Sequence, residues 1–210
     1  ISVIGCGKNP EVVESVRFLL ERGATADKTA NGLIPVIESI KNGNDPEVLK
    51  LLVEYGADID IQDDNGDTPL LYAIGQQNMN MASACLSLGA DPNIRNNRRE
   101  SCVEKALPSF GLESGMKMIE LLVRHGARED GKRCIGQPII ALSTTLSGVG
   151  RIDDLLKMGF NIDQRDVIGR TALFHAIESR SISNIEFLIS RGANINARDD
   201  FGLTPLAIAV

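Results

Sequence analysis

Six glycines, Gly23, Gly56, Gly89, Gly126, Gly159 and Gly192, close leucine-containing stretches that vary around the Leu-Leu-x-x-Gly-Ala seen at 19–24 and stand 33, 33, 37, 33 and 33 residues apart. A fixed period in this range means a stack of like units rather than one closed core. A second pattern keeps the same phase. Gly66-Asp67-Thr68-Pro69-Leu70, Gly169-Arg170-Thr171-Ala172-Leu173 and Gly202-Leu203-Thr204-Pro205-Leu206 place threonines at 68, 171 and 204, each 12 residues after a glycine of the first set.

Both patterns have a physical reading. Thr68, Thr171 and Thr204 are expected to cap helices by accepting the first free N–H groups, with Pro69 and Pro205 at N1, where a missing N–H costs nothing. The recurring glycine is expected just past a helix end, in the left-handed conformation that a Cβ penalises. Between these signals Val48, Leu51 and Leu52, and later Ile185, Leu188 and Ile189, fall at helical spacing and mark a face for burial. Leu121, Leu122, Leu155 and Leu156 are expected to join that burial. The polar, Asp- and Asn-rich text from 57 to 66 reads as a turn or hairpin connection. A turn with two short helices cannot bury its own apolar faces and must stack on neighbours. The fold class is therefore all-α, a solenoid of helix-turn-helix units with hairpin-like turns.

The sequence resembles the ankyrin repeat family. Thr-Pro-Leu-x-x-Ala at Thr68 to Ala73 and Thr204 to Ala209, and Gly-Ala-Asp/Asn-x-Asp/Asn at Gly56 to Asp60, Gly89 to Asn93 and Gly192 to Asn196, carry the resemblance, which covers essentially the whole chain. It divides 1–210 as one domain into units at 1–23 (partial), 24–56, 57–89, 90–126, 127–159, 160–192 and 193–210 (partial). Some slots depart from the pattern. Pro35 and Pro138 stand in the capping slot, so their helices are expected to start uncapped. In 90–126 Arg99 replaces the turn glycine, Ser101 replaces the threonine, and four extra residues are expected to form a loop within 108–113. Phe110 and Leu112 there either fold over the adjacent helices or form a small contact site.

The resemblance implies a protein partner met by the turn tips and the exposed part of the first helices. Five residues beyond the alanine slot stand Gln62, Arg95, Lys132, Arg165 and Arg198, a basic stripe joined by Arg98, Arg99 and Arg133. It reads either as a solvated stripe or as a dock for an acidic or phosphorylated segment. Val167, Ile168 and Phe201 put apolar groups where the family has Asp or Asn, for contact with a partner or for packing between hairpins. Tyr72 and Phe174 are expected to be partly buried against the next repeat.

Composition removes other classes. With 22 Lys and Arg against 28 Asp and Glu, the net charge of −6 has the wrong sign for tracking phosphates, which disfavours nucleic acid. No apolar run approaches the about 20 residues of a membrane span. Cys6, Cys85, Cys102 and Cys134 form no Cys-x-x-Cys pair, which suggests free thiols and a cytoplasmic setting, or a host cytosol for a secreted microbial effector. His125 and His175 are the only histidines; neither pairs recognisably with a nucleophile, and they make no zinc set with four scattered cysteines. No enzyme activity, cofactor or metal is expected. The chain opens at Ile1 without Met and stops at Val210 inside what reads as a helix, so a piece of a longer protein is expected, with the array as its targeting module as the alternative reading.

Overall fold

A computed structural model describes residues 10–26, 32–43, 45–128 and 150–210, with the backbone alone at 107–112 and 150–151. The described residues are helical and contain no β-strand: α1 (Pro10–Glu21), α2 (Pro35–Lys41), α3 (Pro46–Glu54), α4 (Pro69–Gly75), α5 (Met79–Ser87), α6 (Cys102–Arg124), α7 (Gly150–Lys157), α8 (Ala172–Glu178), α9 (Ile182–Ser190) and α10 (Pro205–Ala209). They fall into two compact units, 1–97 and 98–210.

Helix ends follow the chemistry of the recurring signals. Thr68 and Thr204 accept the N–H groups of Leu71 and Ala207 at 3.2 and 3.3 Å, and Asp45 and Asn78 cap α3 and α5 in the same way. All six periodic glycines have φ between +89° and +94°. At Gly56 this turn lets the Ala57 N–H donate to the Leu52 carbonyl at 2.9 Å and buries the Ala57 methyl, which explains why Gly is followed by Ala.

In the first unit α2 packs on α3 and α4 on α5, while α2 lies beside α4 and α3 lies between α1 and α5. First helices thus form one layer and second helices the other. Ile37, Ile40, Leu49, Leu51, Leu70, Leu71 and Ile74 are fully buried between them. In the second unit α8 packs on α9 and on α10, around Leu173, Phe174 and Leu188. Arg191 at the end of α9 grips Asp153 of α7 with two N–H···O contacts at 2.5 and 2.6 Å.

Several expectations are corrected. The extra residues of the 90–126 unit do not make a loop. Helix α6 runs unbroken from Cys102 to Arg124. A capping box starts it, with Ser101 accepting from the Glu104 N–H and Glu104 accepting from the Ser101 N–H, and Ala, Leu, Glu, Met and Lys carry the helix onward. Pro108 only forfeits its bond to the Glu104 carbonyl. Pro35 stands at N1, like Pro69, and Ile34 holds the cap position without a side-chain bond. Thr171 is placed to cap α8, yet its hydroxyl is buried without a hydrogen-bond partner. Leu121 and Leu156 are half-buried, and Ile189 is exposed, because α9 buries only Asn184 and Leu188 fully. Pro138 lies outside the described residues, as do the side chains of Phe110 and Leu112.

Candidate functional site

The turn tips share one frame, built on an aspartate that the sequence motifs leave unremarked. Asp63 Oδ1 accepts the N–H groups of Asn65 and Asp67, both at 2.9 Å, and the chain reverses through Gly66, whose N–H donates to the Asp63 carbonyl. Asp166 takes the N–H groups of Ile168 and Arg170 at 3.0 and 2.9 Å, and Asp199 those of Phe201 and Leu203 at the same distances. The second carboxylate oxygen reaches a side chain in each case. Tyr72 Oη donates to Asp63 Oδ2 at 2.7 Å, His175 Nε2 lies 3.0 Å from Asp166 Oδ2, and Arg170 Nε donates to Asp199 Oδ2 at 3.2 Å. Tyr72 and His175 occupy the same helix slot, so two different residues perform one clasp between tip and helix. Burial of Asp63 opposes its ionised form, but the Tyr72 hydroxyl and the N–H groups of Asp67 and Asn65 outweigh it and hold the carboxyl below its usual range. The signal in the sequence was Asp three residues before each tip glycine.

Adjacent tips are stitched together by backbone. The Asn97 N–H donates to the Asn65 carbonyl at 2.9 Å, and the Asp200 N–H to the Ile168 carbonyl at 3.0 Å. A Cβ on Gly66 would sit 2.6 Å from the Asn97 nitrogen, so this close approach requires glycine. Deeper ties repeat as well: Asp60 and Asp163 accept the N–H groups of Asp91 and Asn194, each at 2.9 Å. Burial, with the charges of Asp58 and Asp91, raises the Asp60 carboxyl above its ordinary value against the Asp91 N–H.

The residues singled out for partner contact fall on this frame. Gln62 Nε2 donates to the Arg95 carbonyl at 3.1 Å and Arg165 Nη1 to the Arg198 carbonyl at 3.1 Å, one repeat ahead in each case. Arg198 Nη1 donates to the Gly202 carbonyl of its own tip at 3.0 Å. Part of the basic stripe therefore fastens tips together. Arg95 is half-buried, Arg165 and Arg198 are exposed, and Arg98 lies 3.8 Å from Glu100, which also pairs with Lys105. Arg99 has φ of +60°, the left-handed geometry that glycine takes in the other tips. Val167, Ile168 and Phe201 are 53%, 37% and 73% exposed. Lys132 and Arg133 lie outside the described residues. Phe174 is wholly buried, Tyr72 half-buried, and His125 exposed at the end of α6.

Family models for ankyrin repeats match residues 5–96 and 173–210. The chain belongs to the ankyrin repeat family. Ankyrin repeats are protein–protein interaction modules, and the repeats here follow that architecture. The chain is similar to ankyrin repeat protein nuc-2 of Neurospora crassa, 41% identical over 99 residues that make up 47% of this chain and 9% of that protein. It is 40% identical over 81 residues to protein phosphatase 1 regulatory subunit 27 of Mus musculus, covering 38% of this chain and 52% of that one. Over 88 residues it is 30% identical to transient receptor potential cation channel subfamily A member 1 of Homo sapiens, 41% of this chain and 8% of the channel subunit. The ankyrin repeat domain of Bcl-3 superposes with a TM-score of 0.76 at 22% identity, over 96% of this chain and 89% of that one. The human ASB11 ankyrin repeat domain gives 0.66 at 20% identity, over 96% and 88%. Among the described residues no ankyrin helix is long and apolar enough to cross a membrane.

Proposed function

We propose that this ankyrin array, read as one domain over 1–210, holds a protein partner at its turn tips and performs no chemistry of its own. The carrying observation is the division of labour within each tip: Asp63, Asp166 and Asp199 with the tip glycines hold the turn, while the residues between them change freely from Asp64 and Asn65 to Val167 and Ile168 to Asp200 and Phe201. A surface whose frame is fixed and whose side chains vary suits selection for binding. The exposed cations Arg98, Arg99, Arg165 and Arg198, with Arg95, Lys132 and Arg133 in line with them in the sequence, favour an acidic or phosphorylated segment of that partner. Nucleic acid is disfavoured by the net charge of −6, and the setting is the cytoplasm, or a host cytosol for a secreted effector. The test is capture from a cytosolic extract by the chain and by a variant carrying Arg98→Glu, Arg99→Glu and Phe201→Ala, with circular dichroism confirming that both are folded. Partners held by the first and lost by the second support the tips; equal capture moves the site to the helix surfaces.

A second reading has its own support. The chain spans 9% of the Neurospora crassa relative and 8% of the channel subunit, so the array also fits a targeting module within a larger enzyme, channel or effector. Joining the array to an unrelated reporter and following its localisation separates the two, since a targeting module redirects its cargo.

A further inference from the structure

The slots between tip aspartate and tip glycine place no apolar demand on the fold, because Asp64, Asn65 and Asn97 fill them in the first unit. In the second unit three of the four slots at 167–168 and 200–201 carry Val167, Ile168 and Phe201. At Val167 and Ile168 the exposure persists although the following tip is already in place. The tip around Asp199 is already seated against its predecessor through the Asp200 N–H and the Ile168 carbonyl, and Val167 and Ile168 remain exposed beside it.

In the tips at 165–170 and 198–203 the exposed charged residues are Arg165, Arg198 and Asp200, two cations to one carboxylate. Asp166 and Asp199 are buried and turned inward onto backbone N–H groups, His175 and Arg170. The Asp200 carboxylate lies against the preceding tip, with Oδ1 2.7 Å from where a Cβ on Gly169 would stand. Arg165 and Arg198 are exposed, and the Arg198 guanidinium, which donates once to the Gly202 carbonyl of the tip that carries Phe201, keeps four of its five N–H donors for another partner. An apolar patch rimmed by guanidinium groups complements an apolar side chain flanked by carboxylates.

We propose that the tips of the second unit dock a short segment of a protein partner in which a large apolar residue stands next to Asp or Glu. Phe201, Ile168 and Val167 receive the apolar side chain, and Arg198 with Arg165 receives the carboxylate. This rests on the reading that the tips hold the partner, and it adds what the partner's segment must look like.

A displayed library of random peptides, panned on the full 210-residue chain, tests it. The chain is expected to enrich peptides pairing Leu, Ile, Met or Phe with adjacent Asp or Glu. Val167→Ser/Ile168→Ser/Phe201→Ser should weaken the best of these at least about tenfold in Kd by fluorescence anisotropy, and Arg198→Glu should remove the preference for acidic flanks. Unchanged circular dichroism and melting midpoints would show that the variants fold. No enrichment by the wild-type chain, enriched peptides that are acidic but lack an apolar residue, or equal binding by the triple-serine variant would each overturn the proposal. If the extract partners are still lost on tip substitution while the library gives nothing, this inference alone fails. If those partners are indifferent to the tips, the underlying reading fails with it.

Discussion

Asp63 shows how a tip is held at the scale of one residue. Its carboxylate serves two N–H groups and the Tyr72 hydroxyl, and these keep it ionised below the usual range although burial works in the other direction. A carboxyl with a lowered folded pKa contributes stability that is present above the unfolded value, about 3.9, and is lost as pH falls through the folded one. Tyr72→Phe should therefore cost about 1 kcal/mol in urea unfolding at pH 7, and the deficit should shrink at pH 3; a deficit that does not change with pH would place the cost in packing. Arg99 presents the opposite case, a side chain in a conformation that suits glycine, with φ of +60° where Gly66, Gly169 and Gly202 stand in the other tips. Arg99→Gly should raise stability by about 0.5–1 kcal/mol, the relief of left-handed strain reduced by the added freedom of the unfolded chain; a lower urea midpoint would show that contacts of the Arg99 side chain outweigh the strain. The spacing of the motifs placed Arg99 in the turn-glycine slot, whereas Asp63 fell within the polar turn at 57–66 without an assigned role. Spacing could not show which way a long side chain points, and so the bonds that Arg165 and Arg170 make to the following tip were not legible.

At the scale of the helix, what was legible depended on whether the signal was local. Gly-Ala endings and Thr-Pro starts act within one turn of chain, and α4, α5 and α10 begin or end where they say. The continuity of α6 depends on competition between a strong capping box and a proline six residues into the helix, and a repeat count alone predicts a loop there. Thr171 is a similar case: it stands at the same cap position as Thr68, but its hydroxyl has no partner. The same substitution should then give unequal results at the two sites. Thr68→Val removes a cap bond and should cost about 1 kcal/mol, whereas Thr171→Val replaces a buried, unbonded hydroxyl by a methyl of like shape and should be neutral or stabilising. Equal losses in paired thermal melts would mean that Thr171 caps α8 in solution.

For the molecule as a whole, the buried thiols report on how firmly the layers close. Cys85 is fully buried in the first unit, burial pushes its pKa up to about 12, and Cys102 is fully buried in the second. Both should resist iodoacetamide at pH 8 and label only as urea unfolds their units, with mass spectrometry of the labelled peptides as the readout. Rapid labelling of either without denaturant would mean that its unit opens locally. The side-chain ties described within the units reach from one repeat to the next: 29 residues from Asp67 to Asn96, 31 from Asp60 to Asp91, 33 from Gln62 to Arg95 and 38 from Asp153 to Arg191. Interactions of such modest sequence separation give a low contact order, so little loop closure precedes any one of them. A nascent chain can settle each repeat soon after the next one is synthesised, and exposed apolar faces need not wait for a distant partner segment.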